Sequence, residues 1–126
     1  MPKSFFARRK ILKSLNTLEL IPITLVSHEN TDENKIKLLI PRFSQKWLQN
    51  IFTGKKKSTE FRISLDEIGS SIWLLIDSTK TVETIVNQLH SEMQYKNLSV
   101  EGLEQRVSIF ISRLYQEEYI TFKQLL

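Results

Sequence analysis

Between Phe61 and Leu89, the intervals at which apolar residues recur predict a strand followed by two helices. Glu60 to Ile63 alternates between polar and apolar residues, as a strand with one buried face does. The apolar residues then recur at the three- and four-residue intervals of a helix. These residues are Leu65, Ile68, Ile72 and Leu75. Ser64 and Glu67 have the spacing of a capping box, so we expect the first helix to run from Leu65 to Ile76.

The same reasoning predicts two further helices and a short terminal strand. Asp77-Ser78-Thr79 breaks the first helix, and Thr81 offers a side-chain oxygen to cap the second, which we expect from Val82 to Met93. Its expected buried residues are Val82, Ile85, Val86, Leu89 and Met93. Ser99 caps a third helix from Val100 to about Gln116. The buried stripe of that helix is Leu103, Val107, Phe110 and Leu114, and Tyr119 to Phe122 is the terminal strand or an extended tail.

The first part of the chain has the pattern of an antiparallel hairpin. Leu18 to Val26 is rich in strand-forming residues but contains Pro22, which cannot donate to a ladder, so this strand should lie at an edge or bend. Ser27 to Asn34 is expected to be a polar turn. Lys35 to Ile40 alternates and is the second strand. The third strand should pair with this hairpin, because two strands alone are marginally stable.

A further short helix is expected between the second and third strands. Apolar residues recur at helical spacing from Ser44 to Phe52, and Gly54 is a plausible stop. We expect its aromatic residues in the core, with a ligand platform as the alternative. Lys55-Lys56-Lys57 follows as a loop, which is either solvated or in contact with an acidic partner.

The length of 126 residues suits one core and is too short for two comfortable domains. We expect a basic N-terminal arm over residues 1–14 and a single domain over residues 15–126. The arm is either a solvated tail or a contact for a membrane surface or nucleic acid. No apolar run approaches the roughly 20 residues of a membrane span. The start lacks the apolar region of a secretory signal, so a cytoplasmic location is expected.

The residues needed for most catalytic and metal chemistry are missing or scattered. The chain has no cysteine, which excludes disulfides and thiolate metal sites, and His28 and His90 are its only histidines. Asp66 and Glu67 are neighbours on a helix, so their side chains diverge and do not form an acid–base pair. With three glycines in the chain, no phosphate-cradling loop is present. We therefore expect a protein that is not an enzyme and holds no metal or cofactor.

The net charge of +4 is concentrated outside the predicted helices. Residues 1–14 carry +5 and residues 35–62 carry +7, whereas residues 15–34 and 63–126 carry −4 each. A recognition helix that binds DNA and its surroundings are normally basic, so the negative charge of the helical part argues against nucleic acid as the partner.

Two features of the pattern suggest binding. On the third helix, Arg106, Ile109 and Arg113 form a line beside the buried stripe, where an exposed apolar residue would be flanked by two cations. The alternative is that Ile109 packs elsewhere within the protein. The residues Phe61, Arg62, Ile63 and Ser64 form a strand that could accept an extended peptide, if that strand lies at the edge of the sheet.

The residues of the helical part resemble the pyrroloquinoline quinone biosynthesis protein D (PqqD) family. The resemblance covers about residues 18–122 and is strongest from 61 to 90. It is carried by the run from Leu65 to Trp73, by Ile76-Asp77, Thr81-Val82, Ile85 and Leu89, by Arg106-Val107, Phe110-Ile111 and Leu114, and by Tyr119-Ile120. Members usually have glycine after the aspartate, where this chain has Ser78. Residues 43–58 also look longer than in compact members.

The resemblance implies an α+β, winged-helix-like fold, with a three-stranded antiparallel sheet followed by a three-helix bundle. It also implies a peptide-binding adaptor that holds the leader of a ribosomally made precursor peptide for a modifying enzyme, often a radical S-adenosylmethionine protein. The leader would add to the third strand and lie along the third helix. The corresponding residues are Phe61, Arg62, Ile63, Ser64, Arg106, Ile109 and Arg113. A winged-helix nucleic-acid-binding protein is the alternative, and a homodimer that fills the strand edge is a third.

Overall fold

The computed structural model describes residues 16–31, 33–41 and 60–126, together with Ala7 and Arg9. Over these residues the chain is an α+β structure with five strands and three α-helices. The strands are β1 (Pro22–Thr24), β2 (Ser27–Asn30), β3 (Ile36–Pro41), β4 (Glu60–Ser64) and β5 (Ile120–Phe122). The helices are α1 (Glu67–Leu75), α2 (Val82–His90) and α3 (Val100–Gln116). Short 3-10 turns occupy Thr17–Glu19, Met93–Tyr95 and Lys123–Leu125.

The expected three-stranded antiparallel sheet is present, and its strands lie in the order β2-β3-β4. Its middle strand is β3, whose Ile36 and Leu38 are fully buried, as the alternating pattern predicts. Ile36 also ties the sheet to α1, because its N–H donates to the buried Ser70 hydroxyl at 2.9 Å. Its carbonyl accepts from the Leu65 N–H at 2.9 Å. These two bonds fix the start of α1 against the first residue of β3.

The predicted partner of β3 in the hairpin was wrong. β3 pairs with β2, which lies inside the segment expected to be a polar turn, and the turn itself is closed by a bond from the Thr31 N–H to the Lys35 carbonyl at 2.8 Å. Polar residues are tolerated in β2 because it is an edge strand with side chains in solvent. Pro22 was expected at an edge or a bend, and the edge is confirmed, since among the described strands β1 pairs with β5 alone in a separate two-stranded sheet.

The two ends of the domain are bonded to each other beside that small sheet. The Lys123 N–H donates to the Ile21 carbonyl at 2.8 Å, and the Ile21 N–H donates to Gln124 Oε1 at 3.0 Å. The amide of Gln124 donates in turn to the Glu19 carbonyl at 2.9 Å. These contacts join segments about 100 residues apart, which no local pattern indicates.

Helix α1 begins two residues later than expected. Ser64 belongs to β4, where it pairs with Lys37, so it does not cap the helix. The cap is Asp66, whose carboxylate accepts the Gly69 N–H at 2.8 Å. The predicted capping box of Ser64 and Glu67 was therefore wrong, because strand pairing uses the serine before the helix starts.

Helix α2 is capped by Thr81 as predicted, with a bond from the Thr84 N–H at 3.2 Å. It ends at His90, not at Met93. Ser91 closes it by donating its hydroxyl to the Gln88 carbonyl at 2.6 Å, and a 3-10 turn then buries Tyr95 and leaves Met93 82% exposed. The predicted burial of Met93 was wrong. The other four expected residues of α2, which are Val82, Ile85, Val86 and Leu89, are fully buried.

Helix α3 has the predicted bounds and cap, with Ser99 Oγ accepting the Gly102 N–H at 3.0 Å. Its buried stripe is Leu103, Val107, Ile111 and Leu114. Phe110, which was expected in this stripe, lies half-buried at its border. The predicted helix from Ser44 to Phe52, the Lys55–Lys57 loop and the arm at residues 1–14, apart from Ala7 and Arg9, lie outside the described residues.

Candidate functional site

Strand β4 lies at one edge of the three-stranded sheet. Among the described strands it pairs with β3 alone. Leu65 continues the β3–β4 register and donates its N–H to the Ile36 carbonyl at 2.9 Å. Because bonded and non-bonded pairs alternate along an antiparallel ladder, Ile63 also bonds toward β3, whereas the main-chain groups of Arg62 and Ser64 point away from it. The outer edge of β4 therefore presents the N–H and C=O groups of these two residues.

The side chains of β4 alternate between the two faces of the sheet. Ile63 lies opposite Leu38 on the face that packs against the core, and Phe61 shares that face but is 49% exposed. Arg62 points to the other face, where its Nε lies 3.3 Å from Glu29 Oε2. The side chain of Arg62 is thus paired within the sheet, and what this residue offers at the edge is its main chain.

An open cleft of about 250 Å³ lies between the start of α1 and the middle of α3. We call it the α3 cleft. On the α1 side it is lined by Asp66, Ile68, Gly69 and Ile72. On the α3 side it is lined by Arg106, Ile109, Phe110 and Arg113. Ile109 is 62% exposed, so no described part of the protein covers it. Arg106, Ile109 and Arg113 are therefore neighbours on one wall of this cleft, as their spacing along the helix predicts.

Gly69 lets the two helices approach each other at the floor of this cleft. A Cβ at this position would lie 2.8 Å from Asp66 Oδ1 and 3.3 Å from two atoms of the Phe110 ring. Real Cβ contacts are rarely this close, so any side chain here would displace the ring or the capping carboxylate. The absence of a side chain at Gly69 leaves room for the Phe110 ring, which lines the cleft beside it.

The charges of the α3 cleft are unbalanced. Within the part of the chain that the structure describes, the side chains of Arg106 and Arg113 make no hydrogen bond and no ion pair. Among the described residues, Asp66 is the only acidic one that lines the cleft, and its carboxylate already accepts the Gly69 N–H. The two guanidinium groups are therefore available to carboxylates from outside the protein.

The structure brings the predicted residues together in two groups. Arg106, Ile109 and Arg113 share the α3 cleft, whereas Phe61 to Ser64 form the strand edge and do not line it. Asp66, two residues beyond β4, connects the two groups. The sequence reasoning missed Ile68, Gly69 and Phe110 as cleft residues because it assigned the isoleucine and the phenylalanine to the core. The one local signal was the three-residue spacing of Asp66 and Gly69, which is that of a helix cap.

The remaining polar groups serve the fold. Trp73 is buried and donates its indole N–H to His28 Nδ1 at 3.1 Å. The Lys80 ammonium, bonded to Asp77 Oδ2 at 2.7 Å, holds the pKa of Asp77 far below its ordinary value. Burial raises the pKa of Tyr119, with a smaller contribution from the charge of Glu117. None of these groups lines the α3 cleft.

A second groove, of about 580 Å³, lies at the end of the sheet. Its charged lining residues are Glu33, Lys35, Lys37 and Asp66, which balance one another. No three His, Asp or Glu side chains are grouped to hold a metal ion anywhere in the described ranges. Within the same ranges, no helix is long and apolar enough to cross a membrane.

Comparison with known proteins places the candidate site inside a family match. The model of the family described as coenzyme PQQ synthesis protein D (PqqD) matches residues 58–120, which is half of the chain. A search of curated proteins found no match, and neither did a search of solved structures. The matched residues include β4, α1, α2 and α3, and thus both the strand edge and the α3 cleft. The family resemblance predicted from the sequence is confirmed, and the chain belongs to the PqqD family.

Proposed function

We propose that this protein is an adaptor that binds the leader segment of a ribosomally made precursor peptide and holds it for a modifying enzyme. The family described for its match belongs to coenzyme PQQ synthesis, which associates the chain with the biosynthesis of cofactors or modified peptides. The observation that carries the proposal is the exposed edge of β4 next to a cleft with an exposed isoleucine and two unpaired arginines.

The leader adds to the sheet as a strand beside β4. The outward N–H and C=O groups of Arg62 and Ser64 supply main-chain hydrogen bonds, which give affinity without requiring a particular sequence. Each such bond contributes about 0.5–1.5 kcal/mol net, because it replaces a bond to water. Strand addition alone is therefore weak and unselective, and the α3 cleft supplies the rest.

Contact with α3 provides the side-chain interactions. An apolar leader side chain laid on Ile109 and the Phe110 ring removes apolar surface from water, at about 25 cal/mol per Å². Arg106 and Arg113 pair with leader carboxylates on either side of this apolar side chain. This binding needs no cofactor and no catalytic group, and the modifying enzyme, for which a radical S-adenosylmethionine protein is our proposal, supplies the chemistry. A winged-helix-like arrangement and a cytoplasmic location are parts of the same proposal.

The test is a titration of the isotopically labelled protein with synthetic peptides encoded by the short open reading frames nearest its gene, followed by amide shifts. We expect the largest shifts at Arg62 and Ser64 and along α3 around Ile109. Ser64→Pro removes an N–H that points away from β3, so it should weaken binding and leave the sheet intact. Shifts confined to other parts of the chain, or an unchanged affinity of the Ser64→Pro variant, contradict the proposal.

A nucleic-acid-binding role is the alternative, and the unpaired Arg106 and Arg113 on an exposed helix face are what favours it. It predicts binding to duplex DNA that weakens steeply with salt and is lost in the double variant Arg106→Gln/Arg113→Gln. The net charge of −4 over residues 63–126 argues against it. A second copy that fills the edge of β4 is tested by measuring molecular size at several concentrations.

A further inference from the structure

We infer that the α3 cleft selects extended peptides in which an apolar residue lies midway between two acidic ones. Over five consecutive positions, the first and fifth are acidic, the third is apolar, and the second and fourth can be any residue. This inference rests on the proposed function and names the class of peptide that the site takes. Its basis is the spacing of the three exposed residues of α3, together with the two unpaired guanidinium groups.

The spacing of the helix residues is set by helix geometry. With a rise of about 1.5 Å per residue, Arg106 lies about 4.5 Å from Ile109 along the axis, and Arg113 lies about 6 Å from it on the other side. At about 100° per residue, the three side chains fall within a stripe roughly 60° wide. The wall of the cleft therefore presents a cation, an apolar group and a second cation in line.

An extended peptide matches this line with every second residue. Its residues rise about 3.3 Å each, and alternate side chains point to the same face. If an apolar side chain lies over Ile109, the residues two before and two after it lie about 6.6 Å away on the same face. The flexible stems of Arg106 and Arg113 cover the remaining differences, about 2 Å for Arg106 and about 0.6 Å for Arg113, by rotamer choice.

A helical peptide with acids three and four residues from its apolar residue has a similar spacing. The extended form is favoured because β4 presents its unpaired main-chain edge to a strand, which a helix could not use. The acidic preference follows from the charges, since Asp66 is the one acid among the described lining residues and its carboxylate is engaged by the Gly69 N–H. The apolar preference follows from three apolar residues that line the cleft together with Ile109, namely Ile68, Ile72 and Phe110.

The test uses three fluorescein-labelled peptides of identical composition, each with two glutamates, one leucine and six threonines. The first has Glu-Thr-Leu-Thr-Glu at its centre. The second has Glu-Glu-Leu at its centre, and the third has the helical spacing Glu-Thr-Thr-Leu-Thr-Thr-Thr-Glu. Fluorescence anisotropy at two salt concentrations measures affinity, and amide shifts of the labelled protein show where each peptide binds.

We expect the first peptide to bind at least threefold more tightly than either of the others. Arg106→Gln and Arg113→Gln should each reduce this affinity by about two- to fivefold, the effect of one exposed ion pair. Lys96→Gln removes the same charge outside the cleft lining and should have no effect. The double variant Arg106→Glu/Arg113→Glu should prefer a peptide with lysines in place of the glutamates.

Equal affinities of the three peptides overturn the inference, and so does tighter binding of the peptide with helical spacing. In both cases, shifts at Arg62 and Ser64 would still support strand addition, so the proposed function would survive. A failure of the proposed function is recognised separately, by the absence of those shifts with every synthetic peptide from the short open reading frames nearest its gene. An unchanged preference in the charge-reversed double variant also overturns the inference.

Discussion

Ser78 provides the sharpest test of how this chain tolerates its departure from the family pattern. It lies in the turn between α1 and α2, and its φ is 71°, in the left-handed region. The turn is held by the carboxylate of Asp77, which accepts the N–H of Thr79 at 2.9 Å and the N–H of Lys80 at 3.1 Å. The resemblance to the family leads us to expect glycine at this position. This chain has a serine instead, and the serine must adopt a backbone conformation that favours glycine.

The expected increase in the free energy of unfolding on Ser78→Gly is the difference between two opposing contributions. An L-residue in the left-handed region costs about 1–2 kcal/mol, and glycine avoids this cost. Glycine loses about 0.5–1 kcal/mol more conformational entropy on folding than alanine does. The serine side chain is exposed and makes no hydrogen bond with a described residue, so nothing else is lost. We expect the free energy of unfolding to rise by about 0.5–1 kcal/mol.

The assay is urea unfolding, supported by thermal unfolding, with Ser78→Ala as the matched control. Alanine removes the same hydroxyl but keeps the Cβ, so it should change stability by less than about 0.5 kcal/mol. The glycine variant should raise the melting temperature by about 2–4 °C for a domain of this size. If glycine and alanine have the same effect, or if glycine destabilises the protein, then left-handed strain at Ser78 is not the cause.

Three further predictions concern the fold around the site. Ser70→Ala removes the hydroxyl that accepts a buried N–H of β3, so the free energy of unfolding should fall by about 1–3 kcal/mol, as measured by urea unfolding. Gly69→Ala should be at least about 1 kcal/mol less stable than Gly102→Ala, because both gain helix propensity but only the first presses on the Phe110 ring. For Asp77, whose pKa is lowered in the fold, the ionised form stabilises the protein above its ordinary pKa of about 3.9, and this contribution is lost on acidification. The stability difference between wild type and Asp77→Asn should therefore be constant from pH 7 to about pH 5 and shrink below about pH 4, in unfolding curves recorded across this range.

Each of these predictions has an outcome that contradicts it. A Ser70→Ala variant as stable as the wild type means that its hydroxyl does not satisfy the buried amide. Equal stabilities of the two glycine variants mean that Phe110 moves aside without cost. A stability difference at Asp77 that persists unchanged to pH 3 means that Lys80 does not stabilise the carboxylate.

The line of candidate residues on α3 could be predicted because helix geometry is local. Arg106, Ile109 and Arg113 lie on one line of any helix with this sequence, and the structure places them on the wall of one cleft. The opposite wall could not be predicted, since Ile68 and Gly69 reach the cleft only through the packing of α1 against α3. The start of α1 was ambiguous because Ser64 and Asp66 both have the spacing of a cap.

The sequence by itself determined the presence of α1, α2 and α3, the caps at Thr81 and Ser99, and the buried alternation of β3, because these depend on neighbours within a few residues. Only the tertiary structure decided which strands pair. It placed the polar β2 beside β3, joined β1 to β5, and used Ser64 for the sheet. Strand partners are chosen by hydrogen bonds between segments far apart in the chain, and the outer edge of β4 depends on that choice.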